Sequence, residues 1–331
     1  MAEVLSIADL ADRLAAVERR LAEALGHGNR ELIDPGMRVV RGGGKRIRPA
    51  LSIAAAMCNG AWDDRVVAGA VSVELVHVGS LVHDDIMDEA KERRGVPTVS
   101  FVEGRDQAIL VGDYLLACAG IEAAKVSKEV AGALAQGIAD LCDGQSREIN
   151  DAFNVDRTLD AFEQSIAGKT AALMRTSAQV GGLAGGFGPA EVAALAAYGE
   201  AFGMAFQLVD DVLDLLSSAG QIGKPVLKDI VQGVYTLPVI DFLSTEQGAS
   251  FKDLLRARPE EPQVILDIRD AVLSSGAIDR CLERADDYGR LAVGALGGVP
   301  SSAARDGLAR LPQAYVDWAL STKAVRSRIE A

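Results

Sequence analysis

Apolar residues recur every three or four positions along most of this chain. The spacing is clearest near the amino terminus, at Leu10, Leu14, Val17, Leu21 and Leu25. It predicts an amphipathic helix over residues 8–26, because such positions share one helical face. Longer apolar stretches predict further helices over residues 66–90, 106–125, 128–152, 158–180 and 190–217. No run alternates apolar and polar residues between turn signals, so the pattern predicts an all-α protein.

Two acidic pentads stand inside these apolar runs, and both have the form D-D-x-x-D. They occupy residues 84–88 and 210–214. Positions i, i+1 and i+4 lie on one side of a helix, so each pentad is predicted to point three carboxylates the same way. Burying like charges among Leu, Ile and Val is costly unless a cation compensates them. The pentads therefore indicate a shared cage for a divalent metal, and carboxylate oxygens suit Mg²⁺.

The size and charge of the chain narrow the classes of function. Its 331 residues, 49% of them hydrophobic, suffice for one large core. No repeat, low-complexity tract or linker divides the chain, so a single domain over residues 1–331 is predicted. The net charge of −13 makes nucleic acid an unsuitable partner, since its binding rests on clustered Lys and Arg. A phosphate-bearing small molecule is still possible, because bound metal can reverse the local field.

The cysteines and the amino terminus bear on the cellular compartment. The four cysteines have no C-x-x-C spacing and are predicted to be helix-core thiols in a reducing cytosol. The amino terminus lacks a basic segment followed by an apolar one, so no signal peptide is predicted. No uncharged apolar run reaches roughly 18 to 20 residues, so no transmembrane segment is predicted either. The expected location is the cytoplasm.

Basic residues accompany the acidic pentads. A glycine-rich basic loop spans residues 41–49, and a second basic loop follows the first pentad at residues 91–98. Guanidinium and ammonium groups beside glycine can surround a phosphate. The alternative interpretation is a solvated turn for the first loop and simple charge balance for the second. The basic residues concerned are Lys45, Arg46, Arg48, Arg93 and Arg94.

Four further polar positions lie within the predicted helices. His77 precedes the first pentad by two helical turns on nearly the same face. Lys169 and Thr170 follow Gly168, and this step predicts a helix break that exposes a cation to a cavity. Gln207 lies three residues before the second pentad on the same face. Taken alone, each of these residues is as typical of an ordinary helix as of a binding site.

Together these segments resemble the trans-isoprenyl diphosphate synthases. The motifs arrive in the order of that family over residues 42–240, as GGGKRIRP, ELVHVGSLVHDDIMDEAKERRGVPT, VGDYLLA, GKTAAL, FQLVDDVLDL and GKPVLKDIVQGVYTLPVI. The resemblance implies an all-α fold of the isoprenoid synthase type, with antiparallel helices around a central cavity and usually a homodimer. It also implies head-to-tail condensation of isopentenyl diphosphate with an allylic diphosphate to give an all-trans polyprenyl diphosphate.

The resemblance also assigns roles to matching positions. Two to three Mg²⁺ ions that bridge the allylic diphosphate are implied at Asp84, Asp85, Asp88, Asp210, Asp211 and Asp214. Cationic contacts to the same diphosphate are implied at Arg93, Lys169 and Lys224. The isopentenyl diphosphate site is implied at Lys45, Arg48, His77 and Arg94. Thr170 and Gln207 match positions that face the developing carbocation. Direct catalytic roles are thus expected of Asp84, Asp85, Asp88, Lys169, Thr170, Gln207 and Asp210.

Two positions after the second pentad depart from the family pattern. The family often has Gly-Lys-x-Thr-Leu-Pro there, but Val234 follows Gly233 in this chain. Leu227 stands where glycine is common. These departures put the closure of this loop in doubt, and Lys228 is a hypothetical substitute for the missing lysine. If Lys228 compensates, Lys228→Ala is expected to weaken binding of the allylic diphosphate.

Product length depends on the residues before the first pentad. In the family an aromatic side chain four or five positions before the first aspartate stops chain growth, and here those positions are Ser80 and Gly79. Both are small, so an open upper pocket and a product longer than fifteen carbons are expected. A deeper floor is predicted from Leu75 and Val76 together with Leu115, Leu116 or Ala119.

Several other functions fit parts of the sequence. A farnesyl or geranylgeranyl diphosphate synthase would share every motif and make a shorter product. A class I terpene cyclase would share the first pentad, but the all-aspartate second pentad argues against it. A non-catalytic partner subunit of a heteromeric synthase would be expected to lose aspartates, and all six are present. A generic helical scaffold would leave the acidic clusters unexplained.

Overall fold

The structure is a computed structural model that describes residues 5, 7, 9–26, 28–216, 227–258 and 261–321. Within these residues almost all regular structure is helical, which confirms the predicted all-α class. The first helices are α1 Leu10–Ala24, α2 Arg30–Arg41, α3 Ile47–Met57 and α4 Asp64–Met87. A hairpin follows, formed by the antiparallel strands β1 Glu92–Arg93 and β2 Val96–Pro97.

The remaining elements are again helical. The next are α5 Val99–Val102, α6 Arg105–Val126, α7 Lys128–Asn150 and α8 Leu159–Ile166, which continues into a π-helical segment Ala167–Ala171. The following ones are α9 Ala172–Ala184, α10 Pro189–Leu216, α11 Lys228–Val231 and α12 Leu237–Leu243. The last are α13 Ala249–Ala257, α14 Pro262–Ser274, α15 Ala277–Ala295, a 3₁₀ turn Leu296–Gly298 and α16 Ala303–Ser321.

Residue contacts divide the chain into two compact units. Unit 1 contains residues 1–139, 173–199 and 295–309. Unit 2 contains residues 140–172, 200–294 and 310–331. The first pentad belongs to unit 1 and the second to unit 2. The single domain expected over residues 1–331 stays a prediction.

Helix α4 forms the core of unit 1. It begins where the Asp63 side chain accepts hydrogen bonds from the backbone N–H groups of Arg65 and Val66, at 3.0 and 3.1 Å. Valine and alanine residues of α4 itself lie on every face of the helix, and most of its residues are buried. Helix α4 ends at Met87, three residues earlier than predicted, so Asp88 caps the helix instead of lying within it.

Two glycines allow α4 and α6 to approach closely. A Cβ atom on Gly79 would lie 3.3 Å from the Gly112 carbonyl oxygen and 3.3 Å from the Leu116 side chain. A Cβ atom on Gly112 would coincide with the imidazole ring of His83, at 2.1 Å from Nε2. Close contact with a neighbouring helix is thus a second reason for the small size of Gly79, and the open pocket at this residue stays a prediction. Leu116 lies level with Gly79 and not one turn lower.

The segment after the first pentad is also more ordered than predicted. A polar loop was expected over residues 91–98, but the chain makes the hairpin of β1 and β2. Both turn residues, Arg94 and Gly95, have positive φ angles of 54° and 75°, as tight two-residue hairpin turns require. Thr98 then ends the hairpin, because its hydroxyl donates to the Ala90 carbonyl at 2.6 Å.

In unit 2 the predicted helix over residues 158–180 contains a break. The π-helical segment Ala167–Ala171 includes the Gly-Lys-Thr step, so the predicted break is confirmed. A Cβ atom on Gly168 would lie 2.6 Å from the Asp140 carbonyl, and one on Gly144 would lie 2.1 Å from the Lys169 nitrogen. The two backbones thus meet without side chains between them.

Two helices are long and apolar enough to cross a membrane when judged by length and composition alone. They are α4 and α10. Within their most apolar windows, 72% and 56% of the residues are buried inside the protein, as in a core helix. Such helices are weak support for a membrane span, and the expected lack of one stays a prediction.

Three of the four cysteines fit the predicted helix-core role. Cys58, Cys118 and Cys281 are buried, and burial raises the pKa of each thiol. Cys142 is exposed, so the prediction is wrong for this residue. All four are free thiols.

Candidate active site

One carboxylate of the first pentad already has a cationic partner. Asp85 is 3% exposed, and Arg93 from strand β1 donates from Nε to Asp85 Oδ1 at 2.8 Å. Asp84 and Asp88 are partly exposed at the end of α4. The charge-balance interpretation of Arg93 therefore holds for the protein alone. Arg93 is still placed where an incoming anion could compete for it.

A cationic pocket lies beside Asp85 in unit 1. Its walls include residues of the glycine-rich loop, the hairpin and α4. Arg94 donates from Nη1 to the Gly43 carbonyl, and a Cβ atom on Gly44 would lie 2.5 Å from this nitrogen. The glycines therefore let a guanidinium approach the loop backbone. The polar residues lining this pocket are Arg46, Glu74, His77, Asp85, Arg93, Arg94 and Thr98.

His77 is half-buried and neutral in this setting. Burial lowers its pKa well below the usual value, and the positive charges of Arg48, Arg94, Arg93 and Arg46 lower it further. Four of the five basic residues named from the sequence therefore lie near His77. Lys45, the fifth, is exposed in the loop that precedes α3. An anionic ligand would offset the field of these arginines at the imidazole.

Arg46 has a different role from its neighbours. Its guanidinium donates to Glu74 at 2.5 Å, to Glu18 at 2.5 Å and to the Val40 carbonyl at 2.7 Å. The residue has a φ angle of 48° as it caps α3. Its side chain is 9% exposed and Glu74 is 3% exposed, so this is a buried ion pair. Sequence reasoning missed it, although a lone glutamate in the apolar run AVSVELVHV signals a buried partner.

At the second pentad the hydrogen-bond donor to the buried residue is a neutral amide. Asp211 is 2% exposed, and Gln207 donates from Nε2 to Asp211 Oδ1 at 2.7 Å. Its Oδ2 accepts no hydrogen bond from any described residue. Burial raises the pKa of Asp211 well above its usual value, and the negative charges of Asp229, Asp210 and Glu148 raise it further. Arg157 is a cation whose charge reaches Asp211, but burial and the acidic neighbours outweigh it, and the pKa of Asp211 stays raised.

Thr170 and Gln207 are brought together, as the sequence predicted for one site. The Thr170 hydroxyl donates to Gln207 Oε1 at 2.7 Å, which makes a chain from Thr170 through Gln207 to Asp211. Lys169 makes an ion pair with Glu148 at 2.5 Å. The structure therefore ties both π-segment residues to the acidic side chains of unit 2.

Asp210 has a partner that sequence reasoning missed. The Tyr315 hydroxyl, on helix α16, donates to Asp210 Oδ1 at 2.5 Å. The ring of Tyr315 stacks on Phe206, with ring centroids 4.6 Å apart. Tyr315 and Asp210 are separated by 105 positions in the sequence, and no spacing rule links them.

The sequence also matches the model of a known family. The polyprenyl synthetase family matches residues 29–272, which is more than half of the chain. The chain belongs to the polyprenyl synthetase family.

Individual members of this polyprenyl synthetase family are similar over nearly the whole chain. Heptaprenyl diphosphate synthase component 2 of Geobacillus stearothermophilus is 36% identical over 93% of this chain and 96% of the relative. Nonaprenyl diphosphate synthase of Mycobacterium tuberculosis is 31% identical over 93% of this chain and 92% of the relative. The crystal structure of a polyprenyl synthase from Caulobacter crescentus, complexed with calcium and isoprenyl diphosphate, has a TM-score of 0.87 and 29% identity over 96% of this chain and 97% of that one. The fold class is confirmed.

The donor set fits the divalent cation implied for a polyprenyl synthetase. No group of three or more Asp, Glu, His or Cys side chains among the described residues is already arranged as a metal cage. The expected common direction of the three carboxylates in each pentad stays a prediction. Still, Asp211 offers a buried oxygen without a hydrogen-bond donor, and hard carboxylate oxygens suit Mg²⁺. A shared cage for both pentads stays a prediction.

The loop after the second pentad is described only from residue 227 onward. Lys224 lies outside the described residues, and so does the Lys228 side chain. Leu227 has a φ angle of 61°, a left-handed conformation that glycine adopts without strain. The backbone of this chain keeps that conformation with a leucine that is 1% exposed.

A buried arginine fixes the same loop within unit 2. Arg157 is 5% exposed and donates from Nη1 to the Tyr235 carbonyl at 3.1 Å. Phe153 donates its backbone N–H to the Gly233 carbonyl at 2.8 Å. A Cβ atom on Gly233 would lie 2.5 Å from the Phe153 ring, so this glycine is required for the contact. The missing Lys of the family pattern thus falls directly after a well-anchored glycine.

Proposed function

We propose that this chain is a Mg²⁺-dependent prenyltransferase. It condenses isopentenyl diphosphate head-to-tail with an allylic diphosphate and makes an all-trans polyprenyl diphosphate longer than fifteen carbons. The observation that carries the proposal is the cationic pocket beside Asp85, where Arg93, Arg94 and His77 meet the glycine-rich loop. A pocket with this charge in a chain of net charge −13 is suited to a diphosphate.

The residues of the pocket would bind and orient the diphosphates. Arg94 is fixed by Gly43 and keeps further N–H groups for phosphate oxygens. Arg93 would exchange Asp85 for phosphate oxygen, which frees a carboxylate oxygen for a cation. Lys45 and Arg48 are proposed to bind isopentenyl diphosphate with His77, and Lys169 to bind the allylic diphosphate with Arg93. Bound Mg²⁺ would supply Lewis-acid stabilisation of the diphosphate leaving group.

The chemistry requires an electrophile protected from water. Cleavage of the allylic C–O bond leaves a carbocation, the alkene of isopentenyl diphosphate attacks it, and a proton is then lost. The cationic groups stabilise negative charge that develops on the departing oxygen. Val78 and Leu81 give the pocket apolar surface, which limits access of water to its α4 side. The Thr170–Gln207 pair presents polar oxygens in unit 2, as proposed for the site that faces the carbocation.

The product length rests on the relatives more than on Gly79. The two relatives named above carry heptaprenyl and nonaprenyl in their names, which supports a long product. Ser80 stays a candidate length-determining residue, and it is partly exposed. Ser80→Phe is expected to shorten the product, with Ser80→Ala as the matched control. Equal product lengths for both variants by mass spectrometry would exclude Ser80 from this role.

The assay that tests the proposed function measures diphosphate release and product size together. Purified protein is incubated with isopentenyl and farnesyl diphosphates, with Mg²⁺ or with EDTA. Turnover that requires both substrates and Mg²⁺ supports the proposal. Release of diphosphate from the allylic substrate alone would indicate a terpene cyclase, and no turnover in any combination would indicate a non-catalytic subunit.

A variant pair connects this activity to the pocket. Arg94→Gln is expected to raise KM for isopentenyl diphosphate by about 10-fold or more, because a charge-assisted contact is lost. Arg65→Gln removes an exposed arginine from the same unit, near the start of α4, and serves as the control. Equal KM values for the two variants would contradict the proposed site.

A homodimer is proposed from an apolar face on α5 and α6. Phe101, Leu110 and Ile121 are 60%, 54% and 58% exposed, and Ala117 is exposed between the last two on the same helical face. A second copy of this chain would cover such a face. Ile121→Lys is expected to give monomers in sedimentation analysis. Leu291→Lys, on α15 with 62% exposure, is the control and should leave the association unchanged.

The name of one relative favours a second possibility for assembly. Geobacillus stearothermophilus heptaprenyl diphosphate synthase component 2 is by its name one component of a larger enzyme. Activity of the purified chain alone supports the homodimer. Activity that appears only after a second protein is added would support a heteromeric synthase. Cytoplasmic location is proposed as well, and fractionation of cells would test it.

A further inference from the structure

The carboxy-terminal helix α16 contributes a hydroxyl group to the second pentad. Tyr315 donates from Oη to Asp210 Oδ1 at 2.5 Å, and both residues belong to unit 2. Asp210 is partly exposed, while Tyr315 is 7% exposed. A buried donor thus holds a carboxylate that is itself accessible.

Packing fixes the orientation of the Tyr315 ring. Phe206 stacks on it with centroids 4.6 Å apart, and Trp318 stacks on it at 5.6 Å. Phe202 meets it edge-on at 6.4 Å. A ring held by three aromatic neighbours cannot turn without disrupting them, so the position of its hydroxyl is determined by the fold.

The phenol remains a donor under ordinary conditions. Burial raises the pKa of Tyr315, and the negative charge of Asp210 raises it further. The hydrogen bond itself shows that one Asp210 oxygen is the acceptor of the tyrosine hydroxyl. The other oxygen is then directed by the same bond, which is how partners behind a metal ligand orient it.

We propose that Tyr315 is a positioning residue, whose hydroxyl fixes the Asp210 carboxylate for a divalent cation. The attachment of α16 and the binding of the cation are coupled through this one hydrogen bond. The inference rests on the proposed function, since it takes the second pentad to bind Mg²⁺. It adds a residue from the far end of the chain to that site.

The chain provides a matched pair of tyrosines for the test. Tyr315→Phe removes the hydroxyl and keeps the stacked ring. Tyr198→Phe removes another buried hydroxyl, which donates to the Leu308 carbonyl at 2.7 Å in unit 1 and touches no pentad. Both variants lose one buried hydrogen bond, so similar losses of thermal stability are expected. Only Tyr315→Phe should affect the cation.

A spectroscopic signal is available beside the site. The chain has two tryptophans, Trp62 and Trp318, and Trp318 stacks on Tyr315. In a Trp62→Phe background the fluorescence of Trp318 follows titration with Mg²⁺ in the presence of inorganic diphosphate, and calorimetry provides the same binding constant. Tyr315→Phe is expected to raise the Mg²⁺ concentration for half-saturation by about 10-fold, with turnover at saturating Mg²⁺ reduced much less. Tyr198→Phe is expected to titrate like the parent.

The outcomes separate this inference from the proposed function. If the parent protein binds no Mg²⁺ with diphosphate, the metal site at the second pentad is wrong. If the parent binds and Tyr315→Phe titrates like Tyr198→Phe, the inference about Tyr315 is overturned. Should Tyr315→Phe fold poorly, Phe206→Leu keeps the hydroxyl and loosens its ring. A smaller increase in the Mg²⁺ concentration for half-saturation of Phe206→Leu supports the inference, and no increase counts against it.

Discussion

The surroundings of the two pentads differ in how buried negative charge is compensated. Around the first pentad each buried carboxylate has an arginine, since Asp85 pairs with Arg93 and Glu74 pairs with Arg46. At the second pentad buried Asp211 has a neutral amide as its hydrogen-bond donor and acidic residues around it. The same D-D-x-x-D motif is therefore balanced within the chain in one place. In the other the acidic neighbours outweigh the charge of Arg157, and we propose that a cation from solution completes the balance.

The contrast is tested most strongly at Asp211. Asp211→Asn removes a carboxylate proposed to bind the cation, and activity is expected to fall by about 10³-fold, which is roughly 4 kcal/mol in the barrier. Thermal stability in EDTA at neutral pH is expected to rise, because the variant no longer has to take up a proton or bury a charge at this position. Steady-state assays and thermal unfolding measure the two effects. A lower melting temperature for the variant in EDTA would show that Asp211 is compensated after all.

Arg46 tests the first region in the opposite direction. Arg46→Met leaves Glu74 buried without its cation, and a loss of about 3 kcal/mol in the free energy of unfolding is expected. Denaturant unfolding measures this loss. In Arg46→Met/Glu74→Gln the buried charge is gone, so much of the loss should be recovered. If the double variant is no more stable than the single one, the pairing is not what stabilises this region.

A smaller effect is expected at Asp85. Asp85→Asn leaves Arg93 without its partner, but the Arg93 side chain is 30% exposed and can be hydrated. A loss of about 1 kcal/mol in the free energy of unfolding is expected, opposite in sign to Asp211→Asn in EDTA. Thermal unfolding of the two asparagine variants side by side measures the difference. The same sign for both would remove the contrast between the pentads.

The dependence of stability on pH gives the subtlest test. The folded chain holds a proton on Asp211 that the unfolded chain releases above a pH of about 4, so the free energy of unfolding falls as pH rises from there. The free energy of unfolding of Asp211→Asn does not fall with pH for this reason. In EDTA the stability advantage of the variant should therefore grow with pH until the folded carboxyl has ionised. An advantage that is constant between pH 4 and 8 would contradict the raised pKa.

The parts of the site that are local in sequence could be predicted. The pentads, the glycine-rich loop and the Gly-Lys-Thr step each contain their chemistry within a few residues, and the break at Lys169 is predicted from that one tripeptide. Observed helix bounds differ from the predicted ones by a few residues, because apolar periodicity does not show end caps such as Asp63. The hairpin was missed because strands of two residues are too short to show alternation.

The parts that depend on distant residues could not be predicted. Tyr315 meets Asp210 across 105 positions, and no pattern in the sequence links the two. Gly79 was interpreted from its small size alone. Its neighbours on α6 show that close packing of two helices can require a glycine, just as an open pocket can. Arg46 and Arg48 are equally basic in the sequence, and only the fold gives Arg46 to Glu74.

The π-helical segment has a consequence for how this chain tolerates change in length. A π turn contains one residue more than an α turn, so the segment accommodates one extra residue within its helix. Deletion of Ala167 would restore a regular α-helix and change the angular positions of Lys169 and Thr170 within the segment, while the residues after it keep their helical face. Lys169 would then lose its contact with Glu148, and Thr170 would lose its contact with Gln207. A substitution here would be a local change, whereas a one-residue deletion would alter the register of the site.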